Sequence, residues 1–415
     1  MDIIIGAGIT GISYANFTNN DYLLLEQESE IGGYCRTIKQ DGFIWDYSGH
    51  FFHFRHPELE QLVCRHIMAE TLCKVEKHTQ ILYKERYIDF PFQKNIHQLE
   101  KEEFIDCLYD LFIAEDVQKG NSFKDMIYHN FGRAIADKFL IPYNQKLYAC
   151  DLDILDAEAM GRFFPKASRE EIVRNFRQAQ NGSYNQYFTY PRGGAIEYIN
   201  SLYANLVKPK LKTQTSVKSV DPVHKTILTE GGDIYTYDNL ISTAPLPKLL
   251  DMCQINYDTN AFTCNKVLTF NLGFDKKGRD RQNSWIYIPS PDVLFYRVGY
   301  YDNIINNDRM SLYIEIGLAQ DAEVKADNIY LERILNDLAK IGILASNQQL
   351  ISYSFVLMDP AYVHINQKGI EETKRCKELL SKNDIYSIGR YGSWTYCSIE
   401  DNIIEAQELA QLLNK

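Results

Sequence analysis

The chain opens on Asp2-Ile3-Ile4-Ile5, three apolar residues behind one acidic one, which is cut at once by Gly6-Ala7-Gly8-Ile9-Thr10-Gly11. A short run of this kind predicts a strand covered on both faces, and Ile12 to Asn16 has helical spacing. A second apolar run, Tyr22 to Leu25, closes with Glu26, so the first thirty or so residues read as a βαβ unit. From about 97 to 180 the period turns helical, as in 104–112 and 123–139. Strand patterns return at 212–220, 226–229 and 233–242, and a longer alternating block fills about 266–316. Its segments are 266–274, 285–289, 293–298 and 311–317. A helix over about 325–343, a strand near 350–357, a strand at 385–388 and a final helix with its N-terminus at Asp401-Asn402 complete the pattern. Elements of the first type thus come back at the end, as when one domain is interrupted by insertions.

Composition narrows the class. At 415 residues, with 45% hydrophobic and 24% charged positions, the chain is globular and too long for one ordinary core. A net charge of -11 with no basic stripe argues against nucleic-acid binding, although two well-placed arginines still suffice for a small anion. The nine cysteines are scattered, with no C-x-x-C and no zinc spacing, so no metal and a reducing, cytoplasmic setting are expected. The first strand starts at Asp2 with no n-region before it, so no signal peptide is expected, and no run is long enough for a membrane span. Tyrosine is abundant, 29 against 3 Trp, which suits the walls of a wet cavity as well as ordinary half-buried packing.

The chemistry begins at the glycines. Gly6 allows a tight turn after the strand, Gly8 lets backbone approach a pyrophosphate, and Gly11 lets the helix sit against the strand. Glu26, 15 positions beyond Gly11, is placed to accept the ribose hydroxyls of an adenosine. NAD and FAD both use such a unit. The next stretch, Ile31-Gly32-Gly33-Tyr34-Cys35-Arg36-Thr37, resembles the second glycine motif of the amine oxidase and protoporphyrinogen oxidase superfamily of FAD enzymes. Asp238 to Pro245 and Ile388-Gly389-Arg390 before the last helix resemble the same superfamily. The resemblance implies non-covalent FAD held by Gly32, Gly33, Arg36, Thr37, Val217, Gly389, Arg390 and Ile399 besides the first motif. The fold class expected is α/β: a Rossmann-type FAD-binding domain with an inserted helical domain and an inserted antiparallel β-sheet substrate domain. Its parts are 1–80, 190–264 and 384–415 for the cofactor, 97–180 for the helices, and 81–96 with 265–383 for the sheet.

Within that superfamily an ordered set of words resembles the UDP-galactopyranose mutase family, above all its eukaryotic branch. Ser48-Gly49-His50 is similar to the segment that sets a histidine beside the flavin, and Phe90 to Asn95 to a Pro-Phe-Gln segment whose amide, here Gln93, meets uracil. Pro142 to Ala149 resembles the helix whose Tyr-Asn pair, here Tyr143 and Asn144, holds uridine, with Tyr148 close by. Trp285-Ile286-Tyr287, Phe295-Tyr296-Arg297, Tyr362 and Gly389 to Tyr396 follow in family order, which implies that Trp285, Tyr287, Arg297, Tyr362 and Tyr396 meet the substrate. The family's second essential arginine falls about one residue out of register near Met160 to Lys166. Arg162 is assigned, with Lys166 as the alternative. The residue types themselves suit a nucleotide sugar: guanidinium groups clamp a diphosphate, and phenols donate to oxygens without adding charge. Taken singly, Tyr148 and Trp285 read more readily as packing aromatics than as ligand contacts.

The implied activity is a flavin-dependent interconversion of UDP-galactopyranose and UDP-galactofuranose, or of a close UDP- or dTDP-hexose, through a reduced-FAD N5–sugar adduct, with NAD(P)H as a conceivable reductant. Such an isomerase serves the synthesis of cell-surface polysaccharide. The catalytic set is His50, Arg162 and Arg297. The other class in view is an amine oxidase or protoporphyrinogen oxidase-type oxidoreductase. The partner expected is a nucleotide sugar, with a homo-oligomer left open. Two departures bear on the sugar pocket: Tyr148 stands where the family carries Trp, and Ile304 where its eukaryotic branch has Tyr.

Overall fold

A computed structural model describes residues 1–114, 120–177, 186–207, 209–325 and 327–414. Positions 115–119 and 178–180 of the expected helical stretch, 326 of the expected helix 325–343, and 208 and 415 lie outside the described residues.

The fold is α/β and of Rossmann type. Five parallel strands stand in the order Ile385–Ser387, Asn239–Ser242, Asp2–Ile5, Tyr22–Leu25, Leu211–Lys212. The Ile triplet shows why the run is continuous. Ile3 and Ile5 face a core with Leu246, Leu249 and Leu380, whereas Ile4 faces Ile12, Ile403 and Ala406 on the other side. Helices therefore cover both faces: Ile9–Phe17 and Ile399–Leu413 on one, Leu246–Met252 and Gln367–Ser381 on the other. The last helix starts at Ile399, not at Asp401-Asn402. Ser398 caps it and Asp401 closes the capping box, so the two polar residues lie inside the first turn.

A seven-stranded sheet runs Leu350–Met358, Asn265–Phe274, Ser311–Ala319, Arg297–Tyr300, Trp285–Tyr287, Thr79–Tyr83, Arg86–Asp89. It is antiparallel except where Trp285–Tyr287 meets Thr79–Tyr83. Period-2 alternation sorts its two faces. Leu312, Ile314 and Ile316 pack with Phe270 beneath the helix Asp327–Lys340, leaving Tyr313 and Glu315 on the opposite face. The strand expected at 293–298 begins only at Arg297, because the preceding residues form the turn that brings the hairpin back.

The helical insertion contains Lys101–Ile113 and Phe123–Ile135; the latter is broken at Gly132, where φ is 76°, and beyond the break it continues through a π-helical stretch, Ala136–Leu140, into Ile141–Tyr148. A further helix, Arg169–Asn175, is closed by its own capping box from Ser168 and Glu171. Phe92, Phe131, Phe139 and Phe164 fill the core between these elements and the sheet. Among the described residues no helix is long and apolar enough to cross a membrane, and no group of three acidic, His or Cys side chains is poised for a metal.

Candidate active site

A single cavity of about 1220 Å³ runs from the C-terminal ends of the parallel strands to the polar face of the large sheet. Ligands of open α/β folds sit at such strand ends.

One end is a backbone cradle. The chain turns at Gly6, whose φ is 97°, and its N–H donates to Leu25 O at 2.8 Å. Gly32 donates to Ala7 O at 2.9 Å, which sets Gly8 directly against the Gly32-Gly33 turn. A Cβ on Gly11 would lie 2.0 Å from Gly6 O, so only glycine lets the first helix approach the strand this closely. That helix carries no acidic residue in its first turn and no side-chain cap, which leaves its N-terminal amides available to an anion. Glu26, 5% exposed, accepts from Ala7 N–H at 2.8 Å and Glu28 N–H at 3.0 Å, so its carboxylate is fixed at the end of the second strand with lone pairs to spare. Arg36 folds back to donate from Nε to Gly33 O at 3.0 Å.

The C-terminal segment closes this end. Gly389 N–H donates to Glu405 at 2.8 Å and Arg390 N–H donates to Asn402 Oδ1 at 2.8 Å, while Asn402 also accepts from Thr10 at 3.1 Å. The Gly-Arg turn is thereby locked to the first and last helices. Glycine turn, free helix N-terminus, fixed acidic residue and closing turn together fit an adenine dinucleotide whose pyrophosphate lies on the first helix, as in FAD.

The other end is walled by tyrosines around half-buried guanidinium groups. Arg297 donates from Nε and Nη2 to the two oxygens of Glu315, at 2.7 and 2.6 Å, and Ser48 Oγ–H donates to the same carboxylate. Burial alone would raise the Glu315 pKa, but the Arg297 guanidinium outweighs it and holds the carboxyl below its ordinary range. Arg390 is stacked among rings, with Cζ 4.8 Å from the Tyr396 centroid and 5.4 Å from that of Tyr362. Tyr362 and Tyr396 are themselves stacked at 5.9 Å, and Tyr143 meets Tyr287 edge-on at 5.0 Å. Between the two ends lies His50. Its Nδ1 is 3.2 Å from Ser48 O, an acceptor only, so the proton sits on Nδ1 and Nε2 is left as an acceptor. Burial pulls its pKa down to about 4, so the ring is neutral at physiological pH.

Most of the residues singled out in the sequence line this cavity: Gly6, Gly8, Glu26, Gly32, Gly33, Arg36 and Val217 at the cradle, and Gly389, Arg390 and Ile399 at its closing turn. His50, Tyr143, Asn144, Trp285, Tyr287, Arg297, Tyr362 and Tyr396 line the rest. Four do not. Gly11 is spent on helix–strand packing, and Thr37 donates to the buried Asp46 at 2.6 Å. Gln93 is fully buried and donates to Pro165 O at 2.5 Å, and Tyr148 is 1% exposed in the helical core. Arg162 and Lys166 both reach the rim, each held by a carboxylate: Arg162 by Asp401 at 2.6 Å, Lys166 by Glu158 at 2.8 Å. Glu315 and Tyr313 escaped the sequence reading, and Ser48 and Tyr296 entered it only as members of motifs, without a role. The signal for Glu315 was there: one acidic residue in an otherwise uncharged strand with apolar neighbours on both sides.

Comparison with known proteins agrees with this geometry. The structure superposes on reduced UDP-galactopyranose mutase with a TM-score of 0.92 at 23% identity, covering 99% of this chain and 94% of that one. A putative protoporphyrinogen oxidase from Exiguobacterium sp. 255-15 matches at 0.79 with 16% identity over 99% and 98% of the two chains. A fatty acid isomerase from P. acnes that produces CLA matches at 0.67 with 12% identity over 99% and 98%. At these identities the likeness speaks for the fold. A sequence model of flavin containing amine oxidoreductases matches residues 18–355, most of the chain. With that span matched and a dinucleotide cradle in place, this chain belongs to the flavin containing amine oxidoreductase family.

Proposed function

We propose that the protein is an FAD-dependent nucleotide-sugar mutase that interconverts the pyranose and furanose forms of a UDP-hexose, galactose being the first candidate. The observation that carries this reading is the joining of a dinucleotide cradle to a tyrosine-walled chamber holding two half-buried guanidinium groups, Arg297 and Arg390. An amine substrate would call for acceptors at that position. Guanidinium donors instead suit a diphosphate, with Arg390 bringing the net charge because that of Arg297 is matched by Glu315. The full-length likeness to reduced UDP-galactopyranose mutase supports the same reading.

When bound and reduced, the flavin supplies the electron-rich nitrogen that a change of sugar ring size without net oxidation requires. The chain's own residues do the rest. Arg297, already oriented by Glu315, holds the diphosphate after it leaves the anomeric carbon and keeps it ready to return. Arg162 at the rim adds a second charge-assisted contact, with Lys166 the alternative. Tyr287, Tyr362 and Tyr396 donate to phosphate and sugar oxygens, while Tyr143 receives the base and Asn144, 2% exposed and donating to Leu140 O at 2.6 Å, backs it. Neutral His50 offers Nε2 as an acceptor for a proton on the ring that opens. Trp285, whose Nε1 donates to Tyr287 at 2.9 Å, fixes that phenol against the chamber.

Titration of the holoprotein with UDP, dTDP and simple amines, read by flavin fluorescence, tests the assignment. Saturable binding of UDP alone supports it. Binding of an amine with no nucleotide response would favour an oxidase.

A further inference from the structure

Lys146 lies one turn along from Tyr143 on the helix Ile141–Tyr148, and its ammonium enters a cage of backbone carbonyls. Nζ donates to the oxygens of Ile288 at 3.1 Å, Ser290 at 3.0 Å, Val293 at 2.8 Å and Phe295 at 2.5 Å. Those four residues lie in the turn of the hairpin that carries Trp285 and Tyr287 on one arm and leads through Tyr296 to Arg297 on the other. Four carbonyl dipoles aimed at one point repel one another, so the turn holds this shape only around a cation. Lys146 supplies it, sharing three N–H groups among four acceptors.

The arrangement is a costly way to fasten a turn. Burial pulls the Lys146 pKa down, and the four carbonyls oppose it together with Asp337, which itself is engaged by Leu294 N–H at 2.9 Å and Arg333 at 3.0 Å. A leucine there would spare the desolvation of a charge but leave the four carbonyls facing one another without a donor. What the lysine adds is a fixed distance. The helix end is also tied to the neighbouring strands, with Asn265 Nδ2 donating to Leu147 O at 2.6 Å and His364 Nε2 3.0 Å from Tyr148 O. A Cβ on Gly317 would lie 2.0 Å from Lys146 O, which shows how closely helix and sheet meet.

We infer that Lys146 is a positioning residue: it sets the span between the helix face that bears Tyr143 and Asn144 and the hairpin that bears Arg297. The inference rests on the nucleotide reading of this cavity. A ligand gripped at both ends, base and diphosphate, requires that span, whereas one that touches a single end does not.

The test is Lys146→Met, with Lys146→Gln as a milder variant that keeps two donors, each prepared as the flavin-loaded protein. Uridine, inorganic pyrophosphate and UDP are titrated against both. Binding by two linked groups is most sensitive to their spacing, so UDP affinity should fall on the order of tenfold or more in Lys146→Met while the two fragments change by less than about threefold. Equal losses for all three, or unchanged UDP affinity, overturn the inference. Amide hydrogen exchange on the ligand-free protein decides it independently of any nucleotide. Faster exchange in 141–148 and 285–300 together, with 399–413 unchanged, supports the clamp, and unchanged exchange in those two segments sinks it. Wild-type protein that ignores all three ligands would remove the proposed function, and the exchange result would still decide whether Lys146 joins helix to hairpin.

Discussion

Arg297 and Glu315 face each other as a two-pronged pair in the interior, with Glu315 only 1% exposed at its side chain. Removing one partner of such a pair strands the other charge, at a cost of about 3–5 kcal/mol. Arg297→Met and Glu315→Gln should therefore each lower stability markedly in urea denaturation. The double variant Arg297→Met/Glu315→Met should recover much of the loss, because no charge is then left alone. Additive losses would mean that the pair is not coupled.

The cradle makes a second prediction. Gly11→Ala drives a methyl group into Gly6 O and should abolish flavin retention with gross loss of stability. Glu26→Ala leaves the packing nearly intact but frees the Ala7 and Glu28 amides and removes the acceptor for the ribose. Flavin should then dissociate more readily, by about 1–3 kcal/mol for a charge-assisted contact. The ratio of flavin to protein absorbance after gel filtration reads both.

Tyr148 shows what a departure from the family pattern can mean. Its hydroxyl is buried without a hydrogen-bond partner, among Phe123, Tyr362 and His364. Tyr148→Phe removes an unsatisfied group and should leave stability unchanged or raise it by about 1 kcal/mol. A loss of 2 kcal/mol or more in chemical denaturation would show that the hydroxyl has a partner after all.

Acid should weaken the fold through His50. Its folded value of about 4 lies below the ordinary 6.5, chiefly because the ring is buried, so the native state binds its proton less readily than the unfolded chain does. Between pH 6.5 and 4 the unfolded state takes up more protons, and stability falls as pH drops through that window. The contribution is up to about 3 kcal/mol and levels off below pH 4. Denaturation midpoints measured across this range should flatten in His50→Asn relative to the parent protein.

Much of the fold was legible because its signals are local. The Gly6 to Gly11 turn and Glu26 declare the cofactor unit within a few dozen residues, and period-2 runs mark Asn265–Phe274 and Ser311–Ala319. What escaped depends on contacts between distant segments. Glu315 becomes an interior residue only when Arg297 pairs with it across neighbouring strands, and Lys146 finds its acceptors about 140 residues away. Gln93 reads as a base-contacting amide, yet its side chain turns to Pro165 O, behind the cavity wall. The start of the last helix shifted because Ser398 outcompetes Asp401-Asn402 as the cap, a three-residue matter of side-chain geometry that periodicity does not resolve.

The most direct measurement is chromatography of UDP-galactofuranose incubated with the purified flavoprotein, with and without prior reduction by dithionite. The account predicts conversion to UDP-galactopyranose by the reduced protein, little by the oxidised one, and none by Arg297→Ala that still holds flavin. No conversion of this or any other UDP-hexofuranose by reduced, flavin-loaded protein would contradict it.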